Sequence, residues 1–86
     1  MKCMLTWTIP PENSKEAFAR FKAGRAEAPV GVKILGRWHE TGNGKGFMAL
    51  DIEDMSAFTG WVTGWSDLSI QTVVPVVDDE DILKNL

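Results

Sequence analysis

The sequence predicts an α+β fold, with one four-stranded antiparallel sheet and two helices packed on the same side of it. Three observations carry that prediction. Apolar residues alternate with period two in KCMLTWTI, three further stretches are short, apolar and strand-like, and apolar residues recur at helical spacing in two stretches between these four. Asn43-Gly44 divides the second strand-like stretch from the third, which is a strong hairpin signal. The order β-α-β-β-α-β then has short connections, and right-handed crossovers favour the sheet order 4-1-3-2 with both helices on one face, the ferredoxin-like arrangement.

Each element can be justified in turn. In KCMLTWTI (residues 2–9), Cys3, Leu5, Trp7 and Ile9 face one way and Lys2, Met4, Thr6 and Thr8 the other. Pro10-Pro11 ends that strand. Asn13 then stands as a helix N-cap with Glu16 three residues on, a capping-box pattern. Ala17, Phe18 and Phe21 form the apolar stripe of the first helix, and Gly24 is its natural stop. Pro29 and Gly31 punctuate the following loop. VKILGRWHE and GFMALDIE are the second and third strands, and a type I′ turn at Asn43-Gly44 pairs His39 with Met48, Arg37 with Leu50 and Leu35 with Ile52.

Asp54 or Ser56 caps the second helix, whose Phe58, Trp61, Val62 and Trp65 fall at i, i+3, i+4 and i+7 on one face. Gly60 and Gly64, four apart, leave room for a close neighbour. SIQTVVPVV is the fourth strand, and Pro75 suits the edge position that this topology gives it. Residues 78–86 read as a short acid-capped helix or tail, with Ile82, Leu83 and Leu86 docked on the body. Residues 1–86 thus read as a single domain.

Composition narrows the function classes. An 86-residue chain of 44% hydrophobic and 24% charged residues is ordinary for a globular protein. A chain of this size buries only about 60–65% of its unfolded surface, so association adds welcome burial. The single cysteine, Cys3, sits in an apolar run and allows neither an intrachain disulfide nor a cysteine zinc site. No apolar stretch approaches the roughly 18–20 residues of a membrane span, and the N-terminus is too polar for a signal peptide. A cytoplasmic protein without a membrane role is expected.

Four acids and one lysine in residues 78–86 carry the whole net charge of −3, leaving residues 1–77 neutral. No basic stripe is offered to nucleic acid. The strands are apolar at both parities, although helices cover only one face of the sheet. The uncovered face marks an interaction surface, and a second copy of the chain is its simplest cover.

MKCMLTWTIPPE, GVKILGRWHETGNGKGF, WVTGWSDL and VVPVVDDED together resemble a family of small, mostly bacterial stand-alone proteins, domain of unknown function 3303. The likeness runs over nearly the whole chain, with LGRWH and WSDL its specific pieces. The resemblance implies a dimeric α/β barrel, in which two ferredoxin-like sheets close one barrel. Some proteins in that wider superfamily are cofactor-independent monooxygenases, haem-degrading enzymes or isomerases, with a pocket between sheet and helices. The family itself brings no activity to the reading.

The glycine-rich stretch Gly36–Asp54 holds the only histidine, and three chemical readings compete for it. A phosphate cradle needs a glycine loop that opens a helix, whereas GNGKG joins two strands and no Ser or Thr follows the lysine. An RNA-recognition strand is echoed by Lys45, Gly46 and Phe47, but Met48, Ala49 and Ile52 stand where that signature needs a small residue and further aromatics. Together with the neutral body, this argues against an RNA-binding domain.

The third reading is a catalytic or binding pair. Arg37 and His39 share one face of a strand among apolar neighbours, while Trp38 takes the other. There His39 can act as general base or acid and Arg37 can hold a carboxylate or enolate oxygen, although a solvated histidine at a strand end is the plainer alternative. Trp7, Trp38, Trp61 and Trp65 are candidates to line an apolar pocket, against the alternative of simple core packing.

No metal site or cofactor is expected. One histidine cannot complete a usual zinc set, and the Asp78–Asp81 run reads first as a helix cap and only second as a cation site. The sequence therefore points to a homodimer that binds a small organic molecule, with cofactor-independent catalysis an open question. The competing class is a non-catalytic dimerising module.

Overall fold

The computed structural model describes residues 1–86. Strands β1 (Lys2–Thr8), β2 (Val32–His39), β3 (Lys45–Ile52) and β4 (Ile70–Pro75) form one antiparallel sheet in the order β2-β3-β1-β4. This is the ferredoxin-like order that the connections favour. Helix α1 (Ser14–Lys22) follows a 3₁₀ turn at Pro11–Asn13, α2 (Met55–Thr63) joins β3 to β4, and α3 (Asp79–Lys84) ends the chain. Pro75 lies on the edge strand, where its missing N–H costs no ladder bond.

The hairpin differs from expectation in two ways. The loop runs from Thr41 to Gly44 and is closed by the Glu40 N–H donating to the Lys45 carbonyl at 2.8 Å. Gly42 and Gly44 take positive φ (77° and 65°), whereas no residue other than glycine does, so Asn43 cannot sit in a type I′ turn. The register consequently shifts by two residues: His39 pairs with Gly46, Arg37 with Met48 and Trp38 with Phe47.

A bulge between Ile34 and Gly36 then changes the parity of β2, so that Ile34 pairs with Leu50 and Val32 with Ile52. Val32 joins the core, Ile34 packs against it, and Leu35, expected opposite Ile52, is the odd residue out and half exposed. Without this extra residue, Val32 and Ile34 would face away from Arg37 and His39. The bulge lets one strand supply core at one end and polar groups at the other, on the same face.

The helix caps also depart in part. Asp54 caps α2 as expected, its Oδ1 accepting from the Ala57 N–H at 3.0 Å. Asp54→Ala is expected to cost about 1 kcal/mol, visible as a fall in melting temperature of roughly 4–8 °C by circular dichroism. Asn13 occupies the N-cap of α1 without capping it. Its Nδ2 donates to the Leu68 carbonyl at 3.2 Å, and Glu16 pairs with Arg20 instead of closing a capping box. Helix α2 ends at Thr63, which leaves Trp65 in the following turn. Gly60 has nothing near it, so no neighbour uses the space that the two glycines leave.

The core is Cys3, Leu5, Val32, Met48, Leu50, Ile52 and Phe58, between the sheet and α2. It is small for the chain. The accessible surface is 5996 Å² for 9.5 kDa, against roughly 5,000 Å² expected of a compact monomer. The radius of gyration, 14.1 Å, likewise exceeds the roughly 12 Å of a compact chain this long.

Two surfaces contribute to the difference. On the face away from the helices, Trp38, Phe47, Val74 and Ile70 are exposed, with Met4 and Ala49 among them. At the C-terminus, Ile82, Leu83 and Leu86 are exposed rather than docked, contrary to expectation. Asp78 caps α3 through the Asp81 N–H and meets Lys2 Nζ at 3.3 Å. The Asp81 backbone bond, then Lys2, hold the Asp78 carboxyl below its usual range.

Candidate functional site

Helices and sheet do not close against each other over the far end of the core. Two cross-strand rows form the floor there: Arg37–Met48–Leu5, and His39–Gly46–Trp7–Gln71. Phe18 and Phe21 of α1 stand over one side, and Trp61 and Trp65 from α2 and its turn over another. Between them lies a cleft of about 660 Å³, part of it open solvent, with eleven hydrophobic residues among the fifteen that line it.

Gly46 is what allows the second row to form. It is buried near the start of β3, and a Cβ there would overlap the ring atoms of Trp7. The Trp7 indole therefore lies across β3 and reaches His39 on the far strand, with ring centroids 5.5 Å apart and planes at 75°. Phe21 meets the same imidazole at 5.4 Å and 87°. His39 is thus held edge-on to two aromatic rings while remaining exposed at the cleft mouth.

Arg37 lies partly buried beside it, its guanidinium 5.0 Å from the Phe21 ring centroid in a cation–π arrangement. Arg37 Nη1 donates to the Ala26 carbonyl at 2.8 Å, tying down the loop that follows α1.

A second arginine, outside the lining, braces the wall. Arg20 donates to both carboxylate oxygens of Asp67, at 3.0 and 2.6 Å, and to the Gly64 carbonyl at 3.2 Å, and it lies over Trp65. This bidentate clamp joins α1 to the turn after α2. The Arg20 hydrogen bonds hold the Asp67 carboxyl below its usual range, and those of Asp67 raise the Arg20 guanidinium. Gln71 Nε2 ties β4 to the end of α2 by donating to the Val62 carbonyl (3.2 Å), and it also donates to Ser69 Oγ (2.9 Å).

The structure brings Trp7, Arg37, His39, Trp61 and Trp65 into one cleft and leaves Trp38 out. Trp38 lies on the opposite sheet face, its indole folded over Gly36, where it cannot share a pocket with the other tryptophans. No motif marks Gln71 or Ser69, and Phe18 and Phe21 read only as a helix stripe. No cluster of three or more His, Cys, Asp or Glu side chains forms a potential metal site anywhere, and no helix is long and apolar enough to cross a membrane.

A family model described as domain of unknown function (DUF3303) matches the chain over residues 1–86. Among solved structures, the chain is similar to that of a proposed antibiotic biosynthesis monooxygenase from Deinococcus radiodurans. The two are 11% identical, 90% of this chain and 92% of that chain are covered, and the TM-score is 0.49. No curated protein matches the chain.

Proposed function

The chain belongs to the DUF3303 family, whose description names no reaction, so we propose a function from the cleft itself: binding of a small, largely apolar organic molecule. One observation carries this reading. An aromatic-walled cleft stays open in a chain short of buried surface, and it gathers the only histidine and an arginine at its rim.

Closing the cleft over Phe18, Phe21 and Trp61 would add apolar burial to a small core, so its openness suits a ligand that supplies that burial instead. His39 is the group at the rim whose imidazole can take a proton from a bound molecule or give one to it. Such a protein is a binder or a cofactor-independent enzyme. The working unit in this proposal is a homodimer, with the exposed sheet face covered by a second copy.

A second reading, a non-catalytic dimerising module, draws on the exposure of His39, since a solvated imidazole also serves as an ordinary surface group. Native mass spectrometry of protein purified from cells separates the two. An adduct of small organic mass is expected on the wild type and is expected to be lost or much reduced in His39→Ala. A protein that purifies bare, and that also takes up nothing from a cell extract, leaves the interaction module standing and sinks the ligand reading.

A further inference from the structure

From the electrostatics of this cleft we infer the ligand's chemical class: an organic monocarboxylate with a flat apolar body, its acid group held by Arg37. The inference rests on the small-molecule reading above and goes further by fixing the charge.

Arg37 is the only permanently charged residue that lines the cleft, and no carboxylate lines it. The guanidinium forms no ion pair. Its one protein hydrogen bond uses Nη1 on the Ala26 carbonyl, which leaves most of its five donors for a ligand. A partly buried cation among apolar side chains with no counter-charge is costly, and an anion entering the cleft relieves that cost. Phe21 lies against the guanidinium, 5.0 Å from it, and helps to hold it at the cleft, where its forked donors suit the two-oxygen geometry of a carboxylate.

An independent observation also asks for an acceptor. The indole N–H of Trp61, another lining residue, is the one buried side-chain polar group in the molecule that has no hydrogen-bond partner. Buried donors are nearly always paired, and because this N–H is sealed from solvent, a ligand oxygen becomes its acceptor only by a turn of the Trp61 ring towards the cleft. Apart from His39, Ser69 and Gln71, the remaining lining is apolar and largely aromatic, which suits a ring system rather than a sugar or a peptide.

The test compares 2-naphthoate with 2-naphthamide, which has the same shape without the charge, by isothermal titration calorimetry. Wild type is expected to bind the acid at least about tenfold more tightly than the amide. Arg37→Gln is expected to erase that preference while keeping its affinity for the amide, which also certifies that the variant is folded. In ¹H–¹⁵N spectra the Trp61 indole resonance, assigned through Trp61→Phe, is expected to move on binding.

Equal affinity of the wild type for acid and amide overturns the carboxylate assignment and leaves the small-molecule reading intact. Binding of neither probe at millimolar concentration overturns both. A preference that persists unchanged in Arg37→Gln overturns the role of Arg37, and the wild-type comparison stands even if that variant fails to fold.

Discussion

Gly46→Val is expected to lower the melting temperature by about 5–15 °C and to release His39 from its place between two aromatic rings. Two effects oppose each other at this position. Valine suits a strand better than glycine, which favours the variant by up to about 1 kcal/mol. Against that, any Cβ at residue 46 overlaps the Trp7 ring, and forcing extra carbon into a packed site costs about 1–3 kcal/mol.

The clash is expected to win, because Trp7 has Gln71 beside it on β4 and cannot slide along its row without leaving the sheet. In a domain whose total stability is about 5 kcal/mol, such a loss is easily measured. A double-mutant cycle identifies the cause: in a Trp7→Ala background, Gly46→Val should cost little or even stabilise. The His39 ring protons, shifted by the currents of Trp7 and Phe21, should move towards free-imidazole positions in Gly46→Val. An unchanged melting temperature with unchanged His39 shifts would show that Trp7 does not depend on this glycine.

The same residue shows where sequence reasoning ends. The four strands were legible because short apolar stretches bounded by turn residues survive local error, and the two-residue slip in the hairpin preserved every face assignment from Gly36 onwards. That is why Arg37 and His39 could be placed together, and Trp38 apart from them, on a wrong register. The bulge at Leu35 was not legible, since one extra residue leaves composition and turn signals untouched while reversing parity. The apolar pair Val32 and Ile34, out of phase with Met48, Leu50 and Ile52 across the expected hairpin, was the trace it left.

The choice between sheet faces was also hidden, because Phe47 and Met48 are both apolar neighbours and only packing against the helices separates them. The meeting of Trp7 with His39 depends on a missing Cβ on the strand between them, a three-strand relation that no window along the chain displays. The C-terminal helix misled for a different reason. Ile82, Leu83 and Leu86 suggest docking, yet nothing within the chain covers them.

That uncovered surface leads to the other large effect. Phe47→Asp is expected to turn the dimer proposed above into a monomer at micromolar concentration. The chain exposes roughly 1,000 Å² more than a compact monomer of its mass, close to the roughly 800 Å² that each partner contributes to a standard interface. The exposed band runs Trp38–Phe47 on two neighbouring strands, then Met4–Val74 on the other two, with Lys33 and Asp51 paired beyond one end. An apolar centre with a charged rim is the pattern of an association surface.

In a two-fold dimer every substitution acts twice. An aspartate buried without a partner costs about 2 kcal/mol or more per copy, so about 4 kcal/mol per dimer and roughly a thousandfold in Kd. Phe47 is 42% exposed and contributes nothing to the buried core, so the isolated fold should tolerate the change. Sedimentation equilibrium checks the mass, and circular dichroism checks that the monomer stays folded. Trp38, the one tryptophan outside the cleft, supplies a third signal: its emission should shift to the red as dilution separates the wild-type copies. A wild type that sediments as a stable monomer at micromolar concentration would refute the dimer, and a Phe47→Asp variant that still dimerises would move the interface to the helical side or to α3.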